Sequence, residues 1–350
     1  MTTTRTTLTY RRIVASTRHA FRIAREGSSV QGGRRVERVI VTIENDGIRG
    51  WGEAAPTPYY GQSNDTVEAA FERARPLLGN DLENIDAIVD RLLAELNDQR
   101  AAVAALDMAL HDWLGKKRGQ PLWKLFALDR SATPPTSFTI GIDTPELIAQ
   151  KVEDAAPFEI LKVKIGAGRD EESLAALRRH WPDKPIRVDA NCGWDPTAIE
   201  DCVRAVVPFD LELIEQPVPA GQLDAVRRAR EVSPIPIIAD EDSIVPQDVE
   251  RLAGSYDGIN IKLSKCGGIR EGRRMISLAR EAGLKIMLGC MVETSLGVSA
   301  AAHLASLVDF VDLDGHLLLA DDPFAGLELR AGVVLPGDAP GLGITERPAG

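Results

Sequence analysis

The sequence predicts an α/β fold: a modified (β/α)8 barrel of the TIM kind carrying an α+β capping domain. Three observations carry that prediction. Short apolar runs end in charged residues at steps of 25, 26, 25 and 22 positions, from Lys164 to Asp189, Glu215, Asp240 and Lys262. The segments between those runs have helical spacing, so each step holds one strand and one helix. The first third of the chain lacks this cadence and opens on a hairpin followed by helices.

Taken in order, Val36 to Ile43 reads as a strand, Asn45-Asp46-Gly47 as a hairpin turn and Gly50-Trp51-Gly52-Glu53 as the returning strand, two strands in all. From Asn64 to about Lys117 the apolar positions recur at three and four residues, clearest at Val103, Leu106, Leu110 and Trp113. The texture changes near Pro134-Pro135, which sets a capping domain over residues 1–130 and a barrel over 131–321. Barrel strands are expected at Ile160–Ile165, Ile186–Val188, Leu211–Ile214, Ile235–Ala239 and Ile259–Leu263, with helices at Glu171–Arg179, Thr197–Val207 and Glu271–Ala282. The Gly- and Pro-rich tail, residues 322–350, is expected to fold back and complete the capping domain.

Composition narrows the partners. A chain of 350 residues with 44% hydrophobic content can bury a large interior. A net charge of -11 without a basic block argues against nucleic acid and anionic membrane. No run of 18 apolar residues occurs and the start, Met1-Thr2-Thr3-Thr4-Arg5, is polar, so the expectation is a soluble cytoplasmic protein. Whether it forms a homo-oligomer is left open. Cys192, Cys202, Cys266 and Cys290 lack the CxxC spacing of zinc sites and are expected as buried free thiols.

On a barrel, groups at the C-terminal ends of the strands converge on one mouth. A single strand-end carboxylate is often no more than a helix cap. Asp189, Glu215 and Asp240 at equivalent places instead form a cluster whose members repel one another unless a hard cation neutralises them. An all-oxygen set favours Mg2+, with Mn2+ as a substitute, over zinc. Lys162 and Lys164, at i and i+2 on a strand, share one face. Each could pair with an acid of the cluster. Alternatively, one ammonium lowers the pKa of the other and makes a general base. Lys262, placed two strands past Asp240, is expected to reach the metal from the opposite side, with Lys265 in support.

These residues resemble the enolase superfamily, specifically its muconate-lactonising subgroup. The resemblance rests on the K-x-K strand, Val188-Asp189-Ala190-Asn191, Ile214-Glu215-Gln216-Pro217, Ala239-Asp240-Glu241 and Asn260-Ile261-Lys262-Leu263. It extends to Gly50-Trp51-Gly52-Glu53-Ala54 and Ala105-Leu106-Asp107-Met108-Ala109-Leu110 in the first third. It implies proton abstraction beside a substrate carboxylate held on Mg2+, with Lys164 as base, Lys262 as acid on the other face and Lys162 adding positive charge.

Within that superfamily, Asp312-Leu313-Asp314 and the following Leu317 to Phe324 resemble the dipeptide epimerases. There the D-x-D pair binds the substrate's α-ammonium while the C-terminal residue is inverted by two-base 1,1-proton transfer through an enediolate. An isomerase acting on a dipeptide, L-Ala-D/L-Glu or another, is therefore implied. Succinylbenzoate synthases and N-acylamino acid racemases, the alternatives, take substrates without a free ammonium. A Schiff-base aldolase has no need of three acids, and an inactive metal-binding barrel none of the lysines. The resemblance further places Thr139, Cys290 and Met291 at the substrate. It leaves Arg25 and Glu26 as the two candidates in the loop that reads the C-terminal residue. Asp242 departs from the family's usual serine without removing a ligand.

Overall fold

A computed structural model describes residues 5–19, 23–24, 35–142, 151 and 155–348. An antiparallel sheet comes first, β1 (Thr7–Ser16), β2 (Arg35–Asn45) and β3 (Ile48–Ala54), with β2 in the centre. Asp46 and Gly47 turn the β2–β3 hairpin at φ 53° and 73°, the left-handed pair that a two-residue loop requires. The first strand, β1, adds to the two expected. Its Thr- and Arg-rich sequence hides a period-two pattern, since only Leu8 and Ala15 are fully buried.

Val39, Val41 and Ile43 bury one sheet face against α1 (Asn64–Ala74), α2 (Ile85–Glu95) and α3 (Arg100–Arg118). The G-W-G-E motif has a steric reason. A Cβ on Gly50 would stand 2.0 Å from the Ala109 carbonyl oxygen, and one on Gly52 would stand 1.9 Å from that of Ala105. Glycine in the strand and alanine in the helix together let β3 and α3 meet backbone to backbone. A short helix, α4 (Leu122–Leu125), leads out of this unit.

Eight parallel strands follow, hydrogen-bonded in sequence order: β4 (Ser137–Ile140), β5 (Ile160–Lys164), β6 (Ile186–Asp189), β7 (Leu213–Glu215), β8 (Ile237–Ala239), β9 (Gly258–Lys262), β10 (Lys285–Gly289) and β11 (Phe310–Asp312). An isolated bridge between Thr136 and Val311 joins the last strand to the first. Among the described residues, the helices between them are α5 (Asp170–His180), α6 (Ile199–Val206), α7 (Leu223–Val232), α8 (Asp248–Leu252), α9 (Leu263–Cys266), α10 (Ile269–Glu281) and α11 (Ser295–Ala302). Leu213, Ile238 and Met287, with Phe310 against them, fill the barrel axis below the mouth.

The capping unit is tied to the barrel by its buried acids. Asp107 on α3 accepts the Ile269 N–H at the start of α10, and Glu53 on β3 accepts N–H groups from Thr294 and Gly297 at the start of α11. Arg38 donates to the Val292 carbonyl at 2.9 Å. The tail contributes two small pairs, β12 (Phe324–Ala325) with β15 (Thr345–Glu346) and β13 (Glu328–Arg330) with β14 (Val333–Leu335). It touches both units: the Leu342 N–H reaches Asp112 at 2.8 Å, and its carbonyl accepts from Ser299 at 2.6 Å. Among the described residues no helix is long and apolar enough to cross a membrane. All four cysteines are free; Cys266 alone is fully buried and the others are half-buried, a correction to the expectation.

Candidate active site

Parallel register places the chemistry. Lys164, Asp189 and Glu215 are Cα partners across β5, β6 and β7, and Lys262 is level with Gly289 and, through it, with Asp312. Asp240 follows directly on β8. The strand that ends in Lys262 is therefore the immediate neighbour of β8, one strand past Asp240 and not two. The two lysines still flank the acids, because β5 and β9 border β6, β7 and β8 on either side.

Asp189, Glu215 and Asp240 are buried, and one carboxylate oxygen from each lies within 4.8 Å of the other two. Burial, then Asp189 and Asp240, push the Glu215 carboxyl up to about 7. Glu215 Oε2 receives no hydrogen bond, since its 2.6 Å contact with Lys162 lies outside hydrogen-bond geometry. Oxygen donors alone, mutual repulsion and an unsatisfied buried oxygen fit a hard divalent cation such as Mg2+.

The lysines meet much of this charge. Lys164 Nζ donates to Asp189 at 2.5 Å and Lys262 Nζ to Asp240 at 2.8 Å. Against the effect of burial, Lys164 and Lys162 hold the Asp189 carboxyl down at about 2. Lys262 and Lys265 likewise hold Asp240 well below its ordinary range despite burial. Lys162 contacts Asp312 at 2.7 Å, Glu215 at 2.6 Å and Asp189 at 3.2 Å. Burial alone would lower its pKa, but those three acids raise it well above the lysine range. Lys162 is thus a fixed positive charge joining the triad to the D-x-D pair.

Both acids of that pair stitch the barrel seam. Ser137 Oγ donates to Asp312 Oδ1 at 2.7 Å, the Thr139 N–H to Asp314 Oδ2 at 2.6 Å, and the Leu313 N–H to Thr136 Oγ1 at 2.8 Å. Although burial opposes it, Lys162 holds the Asp312 carboxyl down. Burial, then the charge of Asp312, push Asp314 up to about 7. Thr139 therefore meets the D-x-D pair through its backbone. Cys290 Sγ lies 3.3 Å from both the Asp312 carbonyl and the Gly315 N–H, so it shapes that loop, and the Met291 N–H donates to Glu293 at 2.8 Å. Arg25 and Glu26 lie outside the described residues.

Several positioning groups escaped the sequence reading. Asn260 donates to Glu215 Oε1 at 2.8 Å, and Arg187 crosses the interior to the Val311 carbonyl at 2.6 Å. Each stands two residues before a strand-end residue already singled out, Lys262 and Asp189, so the period-two rule applied one step deeper would have found both. Lys265 proves to be an inner brace, donating to the Asp240 carbonyl at 2.5 Å and to its carboxylate. Gln216, at a left-handed φ of 34°, accepts N–H groups from Asp240 at 2.9 Å and Asp242 at 3.2 Å, joining two ligand strands. Asp242 is held by Tyr256 Oη at 2.8 Å and the Gly221 N–H at 2.9 Å.

Comparison with known proteins matches this arrangement. Residues 8–127 match the mandelate racemase / muconate lactonizing enzyme, N-terminal domain, and residues 145–349 the enolase C-terminal domain-like family. The L-Ala-D/L-Glu epimerase of Bacteroides thetaiotaomicron is 40% identical over 93% of this chain and 84% of its own length. A hydrophobic dipeptide epimerase from a Flavobacteria bacterium is 38% identical over 88% of this chain and 90% of its own length. The crystal structure of a dipeptide epimerase from Enterococcus faecalis, complexed with Mg and the dipeptide L-Leu-L-Tyr, superposes with a TM-score of 0.90 at 33% identity, covering 97% of this chain and 99% of that one.

Proposed function

The chain belongs to the enolase superfamily, in its mandelate racemase and muconate lactonizing enzyme branch, and from that premise we propose that it is a Mg2+-dependent dipeptide epimerase inverting the α-carbon of the C-terminal residue. The observation that carries this reading is the placement of Lys164 and Lys262 on the two strands that flank the ligand strands. A carboxylate seated over Asp189, Glu215 and Asp240 would present its α-carbon between them.

Asp189, Glu215 and Asp240 would hold the metal, which when bound supplies positive charge to a substrate carboxylate as its α-proton leaves. Lys164, as the free amine, takes that proton from one face, and Lys262, as the ammonium, returns one to the other face. The stereocentre inverts, and the reverse reaction exchanges the two roles. Lys162 keeps a fixed positive charge beside the developing enediolate. Asp314 receives the α-ammonium of the first residue, with Asp312 adding negative charge beside it. That demand for a free amine disfavours N-acylamino acid racemase and succinylbenzoate synthase chemistry. The free thiols agree with a reducing, cytoplasmic location.

The test is deuterium exchange. Incubated with Mg2+ and a dipeptide panel in D2O, the protein is expected to exchange the C-terminal α-proton, followed by NMR, and to lose that exchange with chelator or as Lys164→Ala. Exchange that survives chelation, or no exchange with any dipeptide, overturns the reading.

A further inference from the structure

We propose that this chain selects dipeptides whose first residue has a bulky apolar side chain, through a cavity beside Asp314; the inference rests on the epimerase reading above. The cavity measures about 490 Å3 and lies between the end of β1 and the end of β4. Its walls are largely apolar. Phe138 stacks on Phe158 with ring centroids 4.7 Å apart, and Val292, Leu317 and Leu318 face the same space.

Thr139 ties this cavity to the amine site. Its side of β4 lines the cavity while its N–H holds Asp314. A substrate ammonium on Asp314 has its α-carbon one bond away, so the first side chain leaves the anchor directly beside this space. A methyl group there would leave most of the wall without contact partners, whereas a leucine or phenylalanine side chain would fill it. The volume lies within the range of about 300–1,000 Å3 of ligand pockets, well beyond the needs of alanine.

One side of the cavity is also fixed. Its capping side is bonded to the segment that continues from the D-x-D strand, with the Arg18 N–H on the Leu318 carbonyl at 2.8 Å and the Ala320 N–H on the Ser16 carbonyl at 2.7 Å.

The experiment holds constant a C-terminal residue that turns over and varies the first among Ala, Leu and Phe, reading kcat/KM from α-proton exchange. Leu and Phe are expected to exceed Ala by at least about tenfold. In Leu318→Trp, which fills the cavity, the Leu-to-Ala and Phe-to-Ala ratios are expected to fall by about tenfold or more. Val292→Phe gives the same reading should that variant not fold. Ala dipeptides exchanging as fast as Leu and Phe dipeptides, or ratios indifferent to both fillings, overturn this inference and leave the epimerase reading standing. Absence of exchange with every dipeptide overturns the epimerase reading, and this one with it.

Discussion

The ligand triad and the D-x-D pair are both sets of buried carboxylates at the barrel mouth, but their charge is met in different ways. Around the triad, ammonium groups approach all three acids, and Glu215 is the member left with a raised pKa. In the pair, Lys162 and Ser137 engage both oxygens of Asp312, while Asp314 has a backbone N–H. On the function proposed above, the triad suits a small ion of high charge and the pair a single positive charge arriving with the substrate. Lys162, touching Asp189, Glu215 and Asp312, keeps the two arrays at fixed separation.

The largest effect should come from breaking the triad. Glu215→Gln keeps an oxygen for the Asn260 donor but removes one negative charge from the ligand set. Exchange is expected to fall by at least about 10^2- to 10^3-fold, with Mg2+ affinity by calorimetry falling in step. Retained Mg2+ affinity in this variant would dissolve the distinction between the arrays.

Breaking the pair should act on a different quantity. Asp314→Asn is expected to lower kcat/KM for free-amine dipeptides by about 10- to 100-fold, the scale of one hydrogen bond to a charged group, and to leave Mg2+ affinity unchanged. A matching loss of Mg2+ affinity would show that the arrays act as one.

The ease with which these arrays could be read from sequence also differs. The triad was legible because each ligand ends an apolar run and strand ends converge on a barrel. D-x-D was legible through its resemblance to the dipeptide epimerases, although only Asp312 lies on the last strand and Asp314 follows its end. Their support was not. Ser137 meets Asp312 across 175 positions of sequence, a contact that exists only once the barrel closes. The role of Gly50 and Gly52 could not be read either, because the need for them lies in the approach of Ala105 and Ala109 on a separate helix. β1 was missed for a local reason: most of its side chains are not fully buried, so hydrophobic period was a poor signal there.

Acidity separates the arrays under milder conditions. Asp314, raised to about 7 by burial and by Asp312, is neutral below that pH and attracts no ammonium. With Mg2+ saturating, so that Glu215 stays ionised, kcat/KM is expected to rise up to tenfold per pH unit towards about 7 and then level off. It should turn down again as the substrate amine loses its proton near about 8. The acid limb belongs to the free enzyme and should vanish in Asp314→Asn. A limb that persists there would assign the titration to another group.

The smallest effect should come from the seam. Ser137→Ala removes one neutral donor from Asp312 but leaves the Lys162 contact, so the carboxylate keeps its charge and loses one restraint on its orientation. The expected loss is about 1 kcal/mol, or roughly threefold to tenfold, expressed as a raised KM for free-amine dipeptides with kcat nearly constant. If Ser137 only held the barrel closed, the loss would fall on thermal stability with KM unmoved. Ser137→Thr, which restores a hydroxyl at the same position, separates the two: recovery of KM assigns the hydroxyl to orienting Asp312, because an added methyl group supplies nothing else that an ammonium could sense.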